Sequence, residues 1–123
     1  MTVVLDTNII ILYLHDDVSI VRWVDSQRLR RNVIAISTMT VVELLSFPRI
    51  SPEEVFSIEQ WLRDVLVIDV DLSIARESAR LRRQTGLTTT DSIIAATAVL
   101  LKASLATRDV AFKKIRDVSV LVP

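Results

Sequence analysis

The sequence predicts an α/β domain built on a central, mainly parallel β-sheet. Strand-like and helix-like segments alternate along the 123 residues, and no linker, repeat or low-complexity stretch interrupts them. The strand-like segments, such as Val3–Leu5 and Val33–Ile36, are continuous apolar runs, typical of strands covered by helices on both faces. Half of the residues are hydrophobic, so a chain of this length can form one well-packed core.

Five apolar runs are predicted to be strands, with helices between most of them. In chain order, the predicted strands are residues 3–5, 33–36, 66–70, 104–107 and 118–122. The first interval carries two helical stretches, at residues 8–14 and about 18–30. A short helix is expected between the last two strands, around Phe112.

Capping residues indicate where the helices of the middle of the chain begin. Ser37 or Thr38 begins the helix after the second strand, and Pro48 ends it. Ser51, with Pro52 and two glutamates directly after it, combines a capping side chain, a proline at the first helical position and acids in the first turn.

Two further helices are predicted in the second half. Asp71 begins one that ends at Gly86, which suits the left-handed position after a helix. The helix that follows Asp91 is apolar on all sides, so we expect it to be buried in the centre of the domain.

Composition excludes several classes of site. The chain has no cysteine and one histidine, His15, which excludes disulfide scaffolds, thiolate metal sites and multi-histidine sites, and is compatible with the cytoplasm. Its single glycine excludes a dinucleotide-binding fingerprint and a P-loop. No signal peptide is expected because Asp6 interrupts the first apolar run, and the run Ile9–Leu14 is far shorter than the ~20 residues of a membrane helix.

Four acidic residues follow or open the predicted elements. Asp6 follows the first strand, Glu43 lies on the helix after the second, Asp91 opens the apolar helix, and Asp109 follows the fourth strand. Parallel strands would bring Asp6 and Asp109 to the carboxyl edge of the sheet, where ligands bind in open α/β folds. Because neighbouring strands are ~4.8 Å apart, these two carboxylates could share one cation if the first and fourth strands are adjacent.

Each acid also has a purely structural interpretation. Asp6 (or Thr7) and Asp109 could cap helices, Asp91 could be a first-turn acid favoured by the helix dipole, and Glu43 could be an exposed surface residue. Together the acids favour a metal site, because several carboxylates at one edge repel one another without a cation. Oxygen ligands without histidine or cysteine suit Mg²⁺ or Mn²⁺. The side chains expected to hydrogen-bond these ligands are Thr7, Asn8, Thr90 and Thr107.

The segments around the four acids resemble the motifs of the PIN-domain family, in particular its small VapC-type toxin ribonucleases. The matching segments are Asp6-Thr7-Asn8, Thr40–Leu44, Thr90–Ala96 and Thr107-Arg108-Asp109, with Phe112 shortly after. In order and at these spacings they cover nearly the whole chain. The third segment departs from many relatives, which have proline or alanine before the aspartate and alanine after it, where this chain has Thr90 and Ser92.

The resemblance implies a fold, an activity and partners. It implies a three-layer α/β/α PIN-like domain with four to five strands, and a cytoplasmic, Mg²⁺- or Mn²⁺-dependent endoribonuclease in which the four acids hold the metal. It also implies a homodimer and a neutralising antitoxin protein. The basic residues that could contact RNA are Arg80, Arg82, Arg83, Arg108, Lys113 and Lys114.

Two other interpretations of the chain remain open at this point. A receiver-type signalling domain has a similar length and an acidic Mg²⁺ pocket, and its phosphorylated residue would be Asp69 or Asp71. The last predicted strand, however, has no lysine after it. A catalytically silent binding module is the second alternative, with a partner groove or dimer face drawn from the large side chains of the first half. These are Trp23, Met39, Phe47, Phe56 and Trp61.

Overall fold

The structure is a computed structural model that describes residues 1–123, and it confirms the predicted fold class. A five-stranded sheet with the order β3-β2-β1-β4-β5 lies between two layers of helices, and all four strand pairs are parallel. The strands are β1 (Thr2–Leu5), β2 (Val33–Ser37), β3 (Leu66–Ile68), β4 (Ser104–Ala106) and β5 (Val120–Leu121). The helices are α1 (Thr7–Leu14), α2 (Val18–Leu29), α3 (Thr38–Leu45), α4 (Pro52–Leu62), α5 (Leu72–Thr85) and α6 (Thr89–Leu101), with a 3₁₀ turn at Val110–Lys114.

The two edge strands are shorter than predicted. The third strand ends at Ile68 rather than at residue 70, and the fifth covers Val120–Leu121 rather than residues 118–122. Each has a neighbour on one side only. The backbone N–H of Val70 donates to Thr38 Oγ1 at 3.2 Å instead of to a strand, so the chain has already left the sheet there.

Both faces of the sheet are buried, as the continuous apolar runs predict. Val4 and Leu105 pack on one side with α5, α6 and Phe112, whereas Leu5 and Ile36 pack on the other side with α1 to α4. The expectation that α6 is buried on all sides is wrong for its last turn. Leu100 and Leu101 are exposed there, at the end of the helix.

The direction of the strand order changes at β1. From β1 the chain builds outward to β2 and β3, and then returns to place β4 on the other side of β1. A crevice forms at such a reversal, outside the carboxyl ends of the two strands, and open α/β folds bind ligands there. Leu5 pairs with Ala106, so the residues that follow β1 and β4 lie side by side at this crevice. None of the helices has both the length and the apolar character needed to cross a membrane.

Candidate metal centre

Asp6 lies at the carboxyl end of β1, at the crevice, and is almost fully buried. Its Oδ1 accepts a hydrogen bond from the Thr7 backbone N–H at 2.8 Å, so it does cap α1. Its second oxygen, Oδ2, accepts a hydrogen bond from Thr107 Oγ1 at 2.8 Å, across the β1–β4 junction. Capping therefore uses only one carboxylate oxygen, and the other is held toward β4.

Thr107 connects the two acids that follow β1 and β4. This buried hydroxyl donates to Asp6 and accepts a hydrogen bond from the Asp109 backbone N–H at 3.0 Å. The Asp109 side chain is exposed, and its Oδ1 caps the 3₁₀ turn by accepting from the Ala111 N–H at 2.9 Å. Asp109 thus has the structural role considered from the sequence and also lies beside Asp6.

Glu43 reaches the same region from α3. It is half-buried rather than exposed, and its Oε1 accepts a hydrogen bond from Thr7 Oγ1 at 2.6 Å. Thr7 Oγ1 in turn lies 3.1 Å from the hydroxyl of Thr40, one helical turn before Glu43. These contacts join the start of α1 to α3, so Glu43 is drawn toward the crevice by the residue next to Asp6.

Asp91 lies in the first turn of α6 and is half-buried. Its backbone N–H donates to Oγ1 of Thr88, the residue that caps α6, at 3.2 Å. Ser92, where many relatives have alanine, is fully buried, and its hydroxyl donates to the Thr89 carbonyl at 2.7 Å and lies 2.6 Å from Ser78 Oγ on α5. The hydroxyl that Ser92 adds is therefore hydrogen-bonded within the core.

The four carboxylates interact electrostatically. Burial raises the pKa of Asp6, the negative charges of Asp91 and Asp109 raise it further, and the hydrogen bonds from Thr107 and Thr7 oppose the rise. Burial also raises the pKa of Asp91, with contributions from the charges of Asp109 and Glu43, while a hydrogen bond with Thr88 opposes it. None of the four acids forms an ion pair with a lysine or an arginine.

The donor set fits a hard divalent cation, although the side chains do not converge on one point. No three acidic side chains lie close enough together to hold an ion as they stand. The groups present are carboxylate oxygens whose charges repel one another at a partly buried site, and they are supported by hydroxyl donors. Oxygen-only ligands of this kind suit Mg²⁺ or Mn²⁺, and a cation would relieve the repulsion.

The predicted supporting residues divide into two pairs. Thr7 and Thr107 each donate a hydrogen bond to an acid of the cluster. Asn8 is exposed and Thr90 half-buried, and neither side chain forms a hydrogen bond with the acids. Sequence reasoning did not single out Thr40 or Thr88, although each precedes an acid by three residues, the spacing that places two side chains on one helix face.

The predicted basic residues are also unequal. Arg80 is in ion pairs with Glu77 and Asp117, and Arg82 Nε donates to the Leu87 carbonyl at 3.1 Å. Arg108 donates to the Pro123 carbonyl at 3.0 Å and to Ser19 Oγ at 3.2 Å. The three that form no hydrogen bond or ion pair with the protein are Arg83, Lys113 and Lys114.

An apolar groove leads toward Glu43 on the side of the sheet covered by α1 to α4. A cavity of about 220 Å³ lies between α1, α3 and α4, lined by apolar side chains such as Ile11, Leu44 and Phe47. A neighbouring depression shares Ile11 and Phe47 with it and extends to Asn8 and Glu43. Of the five large side chains considered for a partner surface, Phe47 and Phe56 are exposed, Trp23 and Met39 are half-buried, and Trp61 belongs to the core.

The strand order argues against the receiver-like alternative. Receiver domains have the order 2-1-3-4-5, whereas this sheet has the order β3-β2-β1-β4-β5. Asp71 caps α5, its Oδ1 accepting from the Ile74 N–H at 2.9 Å, and it lies beyond β3, an edge strand away from the β1–β4 crevice.

Comparisons with known proteins agree with this fold. A chain of VapBC2 from Rickettsia felis, solved in complex with a DNA fragment from the VapBC2 promoter, superposes on this chain with a TM-score of 0.86 at 22% identity, covering 98% of each chain. A toxin–antitoxin complex from Klebsiella pneumoniae has a chain with a TM-score of 0.82 at 26% identity, covering 98% of this chain and 96% of that one. For VapBC-1 from nontypeable Haemophilus influenzae the TM-score is 0.81 at 28% identity, covering 98% and 97%.

A search of curated protein sequences finds no significant match. The sequence model of the PIN domain, in contrast, matches residues 3–118, nearly the whole chain. That match includes the segments of all four acids and every strand except β5. The chain therefore belongs to the PIN-domain family.

Proposed function

We propose that this protein is a VapC-type toxin, a Mg²⁺- or Mn²⁺-dependent endoribonuclease. The observation that carries the proposal is that the charges of neighbouring acids of the set Asp6, Glu43, Asp91 and Asp109 raise the pKa of Asp6 and of Asp91 near the β1–β4 crevice, where no cationic side chain pairs with any of the four. Membership of the PIN-domain family and the likeness to chains of toxin–antitoxin complexes support it.

The side chains have distinct roles in this proposal. The four carboxylates hold the divalent cation, which supplies Lewis acidity toward a phosphodiester and lowers the pKa of water when it is bound. Thr107 orients Asp6, and Thr7 orients Glu43, because each hydroxyl donates to a carboxylate oxygen that would otherwise be free to turn. Arg83, Lys113 and Lys114 offer free charges to the RNA backbone, whereas Arg80, Arg82 and Arg108 would first have to give up protein contacts.

A protein antitoxin is the partner we propose for the apolar groove between α1, α3 and α4. A partner lying in the groove with an apolar face would cover Phe47 and reach Asn8 and Glu43, so it would block the approach of RNA. We also propose a homodimer and activity in the cytoplasm, as expected from the sequence. Light scattering of the purified protein tests the dimer directly.

The nuclease proposal is tested by cleavage of a mixed pool of structured RNAs. Wild-type protein is assayed with Mn²⁺, with Mg²⁺ and with EDTA, beside Asp6→Asn and Asp91→Asn. Asp25→Asn is a matched control, since Asp25 is an exposed acid of α2 outside the cluster. Cleavage that requires metal, is lost in the two cluster variants and persists in the control supports the proposal.

Two results would contradict the proposal. Equal cleavage by wild type and the cluster variants would point to a contaminating nuclease. Folded protein that neither cleaves RNA nor binds Mn²⁺ in calorimetry would favour the catalytically silent binding module, whereas Mn²⁺ binding without cleavage would leave the acidic site intact and point to a narrow choice of RNA.

A further inference from the structure

Thr40 is a fully buried hydroxyl that contacts the acidic site only through another residue. It lies on the inner face of α3, one turn before Glu43, and has no exposed surface. The single side-chain partner of its hydroxyl is Thr7 Oγ1, at 3.1 Å, and Thr7 lies at the start of α1 beside Asp6.

Counting hydroxyl protons gives this chain of contacts a direction. A carboxylate can only accept, so the one proton of the Thr7 hydroxyl is donated to Glu43 Oε1 at 2.6 Å. The geometry places Thr7 Oγ1 as a donor toward Thr40 Oγ1 as well, at 3.1 Å, but one proton cannot be donated to two acceptors. Because the carboxylate is charged and its contact is shorter, it takes the Thr7 proton, and the contact between the two threonines is then made with the proton of Thr40. Donation in this direction also satisfies the buried Thr40 hydroxyl, which would be costly to leave without a partner.

We propose that Thr40 is a positioning residue that directs the Thr7 hydroxyl toward Glu43 and thereby holds this carboxylate at the crevice. The inference rests on the proposed metal-binding function. When Thr40 donates, a lone pair of Thr7 is occupied, so the Thr7 proton cannot point at Thr40 and stays directed at Glu43. A hydroxyl that accepts one hydrogen bond is also a stronger donor of the next, so the bond to Glu43 is strengthened.

The direct test measures Mn²⁺ affinity by calorimetry for wild type, Thr40→Val and Thr40→Ser. Valine keeps the shape of the side chain but has no hydroxyl, whereas serine keeps the hydroxyl. Removing groups that orient a metal ligand costs 10–100-fold in affinity, and because Thr40 acts through Thr7 we expect the lower end, about tenfold, for valine. Serine should restore affinity to near the wild-type value.

A double-mutant cycle separates positioning from general support of the fold. If Thr40 acts through Glu43, Thr40→Val should change Mn²⁺ affinity little in a Glu43→Ala background, where residue 43 has no oxygen to accept from Thr7. An equal loss in both backgrounds, or a loss that serine does not restore, would overturn the inference. A second cycle without metal compares Thr40→Val and Thr7→Val by urea unfolding, where strictly additive effects would also overturn it.

The experiment distinguishes failure of the inference from failure of the proposed function. Wild-type protein that is folded but does not bind Mn²⁺ would overturn the proposed metal site and this inference together. Wild-type protein that binds Mn²⁺ with an affinity that Thr40→Val leaves unchanged would overturn the inference alone.

Discussion

The hydrogen bond from Thr107 to Asp6 gives a prediction that needs neither metal nor RNA. Thr107→Val keeps the volume of a side chain that is 1% exposed but removes its hydroxyl. Asp6 Oδ2 then loses its donor at 2.8 Å and stays buried, while the Asp109 N–H, on an exposed residue, can turn to water instead. The perturbation is therefore concentrated on one buried carboxylate.

A hydrogen bond to a charged group contributes about 1.5–3 kcal/mol, and a bond between neutral groups about 0.5–1.5 kcal/mol. We expect Thr107→Val to lower the free energy of unfolding at pH 7 by about 1.5–3 kcal/mol, the contribution of a hydrogen bond to the ionised form of Asp6. At acid pH, where Asp6 is protonated, the smaller amount applies.

The sign of this pH dependence follows from the pKa of Asp6. In the folded protein burial raises this pKa above its ordinary value of 3.8, and the Thr107 hydrogen bond is an influence that lowers it. Without the hydroxyl the folded-state pKa rises further. A carboxyl whose pKa is raised by folding contributes most to stability below its unfolded pKa, and this stability is lost as the pH rises through the folded pKa. The cost of Thr107→Val should therefore grow as the pH rises through that window.

Urea unfolding in EDTA, followed by tryptophan fluorescence from the buried Trp61, measures these differences at pH 4 and pH 7. Thr107→Ser is the control, because it keeps the hydroxyl and loses a buried methyl group, at a cost of about 1 kcal/mol that does not depend on pH. The reasoning would be refuted if the valine variant lost the same free energy at both pH values, as the serine control should.

Three further predictions concern other contacts. Asp6→Asn removes a buried charge that faces other carboxylates but leaves one acceptor oxygen for the two hydrogen bonds that Asp6 accepts, so the free energy of unfolding of the metal-free variant relative to wild type should rise from pH 4 to pH 7. Urea unfolding that shows the same difference at both pH values would contradict this. Ser92→Ala leaves the buried Ser78 hydroxyl without its partner on α6 and should lower the free energy of unfolding by about 1–3 kcal/mol. The double variant Ser78→Ala/Ser92→Ala should lose less than the sum of the two single variants, and thermal unfolding that gives additive losses would count against this. Arg83→Ala should reduce the slope of log binding constant against log salt concentration for RNA by about 0.7. Arg80→Ala should reduce this slope less, because Arg80 is already ion-paired with Glu77 and Asp117. Equal reductions by the two variants would disagree with the proposed contacts.

The fold could be predicted from local signals because each depends on neighbouring residues. The capping box at Ser51 is formed in both directions, with Ser51 Oγ accepting from Glu54 N–H and Glu54 Oε1 accepting from Ser51 N–H. Gly86 has the left-handed conformation expected after α5. The predicted ends of strands were wrong mainly for β3 and β5, the two edge strands. Each pairs with a strand on one side only, and the apolar pattern does not show where that pairing stops.

In the candidate site, too, some residues could be predicted from local sequence and others could not. The four acids could be proposed as a site from the sequence because each follows or opens a predictable element, and two of these elements, β1 and β4, end side by side at one edge of a parallel sheet. Their role as metal ligands stays a prediction. The hydroxyls that hold the acids could be predicted only in part. Thr7 and Thr107 lie within two residues of an acid in the chain, whereas Thr40 opens the segment of Glu43 and its contact with Thr7 is not visible in that segment. Such a contact depends on how two helices cross, and no local pattern encodes that crossing.

By itself the sequence determined the class of fold and showed which acids follow or open its elements, because apolar runs, capping residues and the position of an acid beside an element are local properties. Only the tertiary structure decided that β4 lies beside β1, which brings Asp6 and Thr107 to one crevice. It also decided that Glu43 turns inward to Thr7, and that Arg80 is already paired whereas Arg83 is not. These outcomes depend on contacts between residues far apart in the chain, such as the 101 positions that separate Asp6 from Thr107.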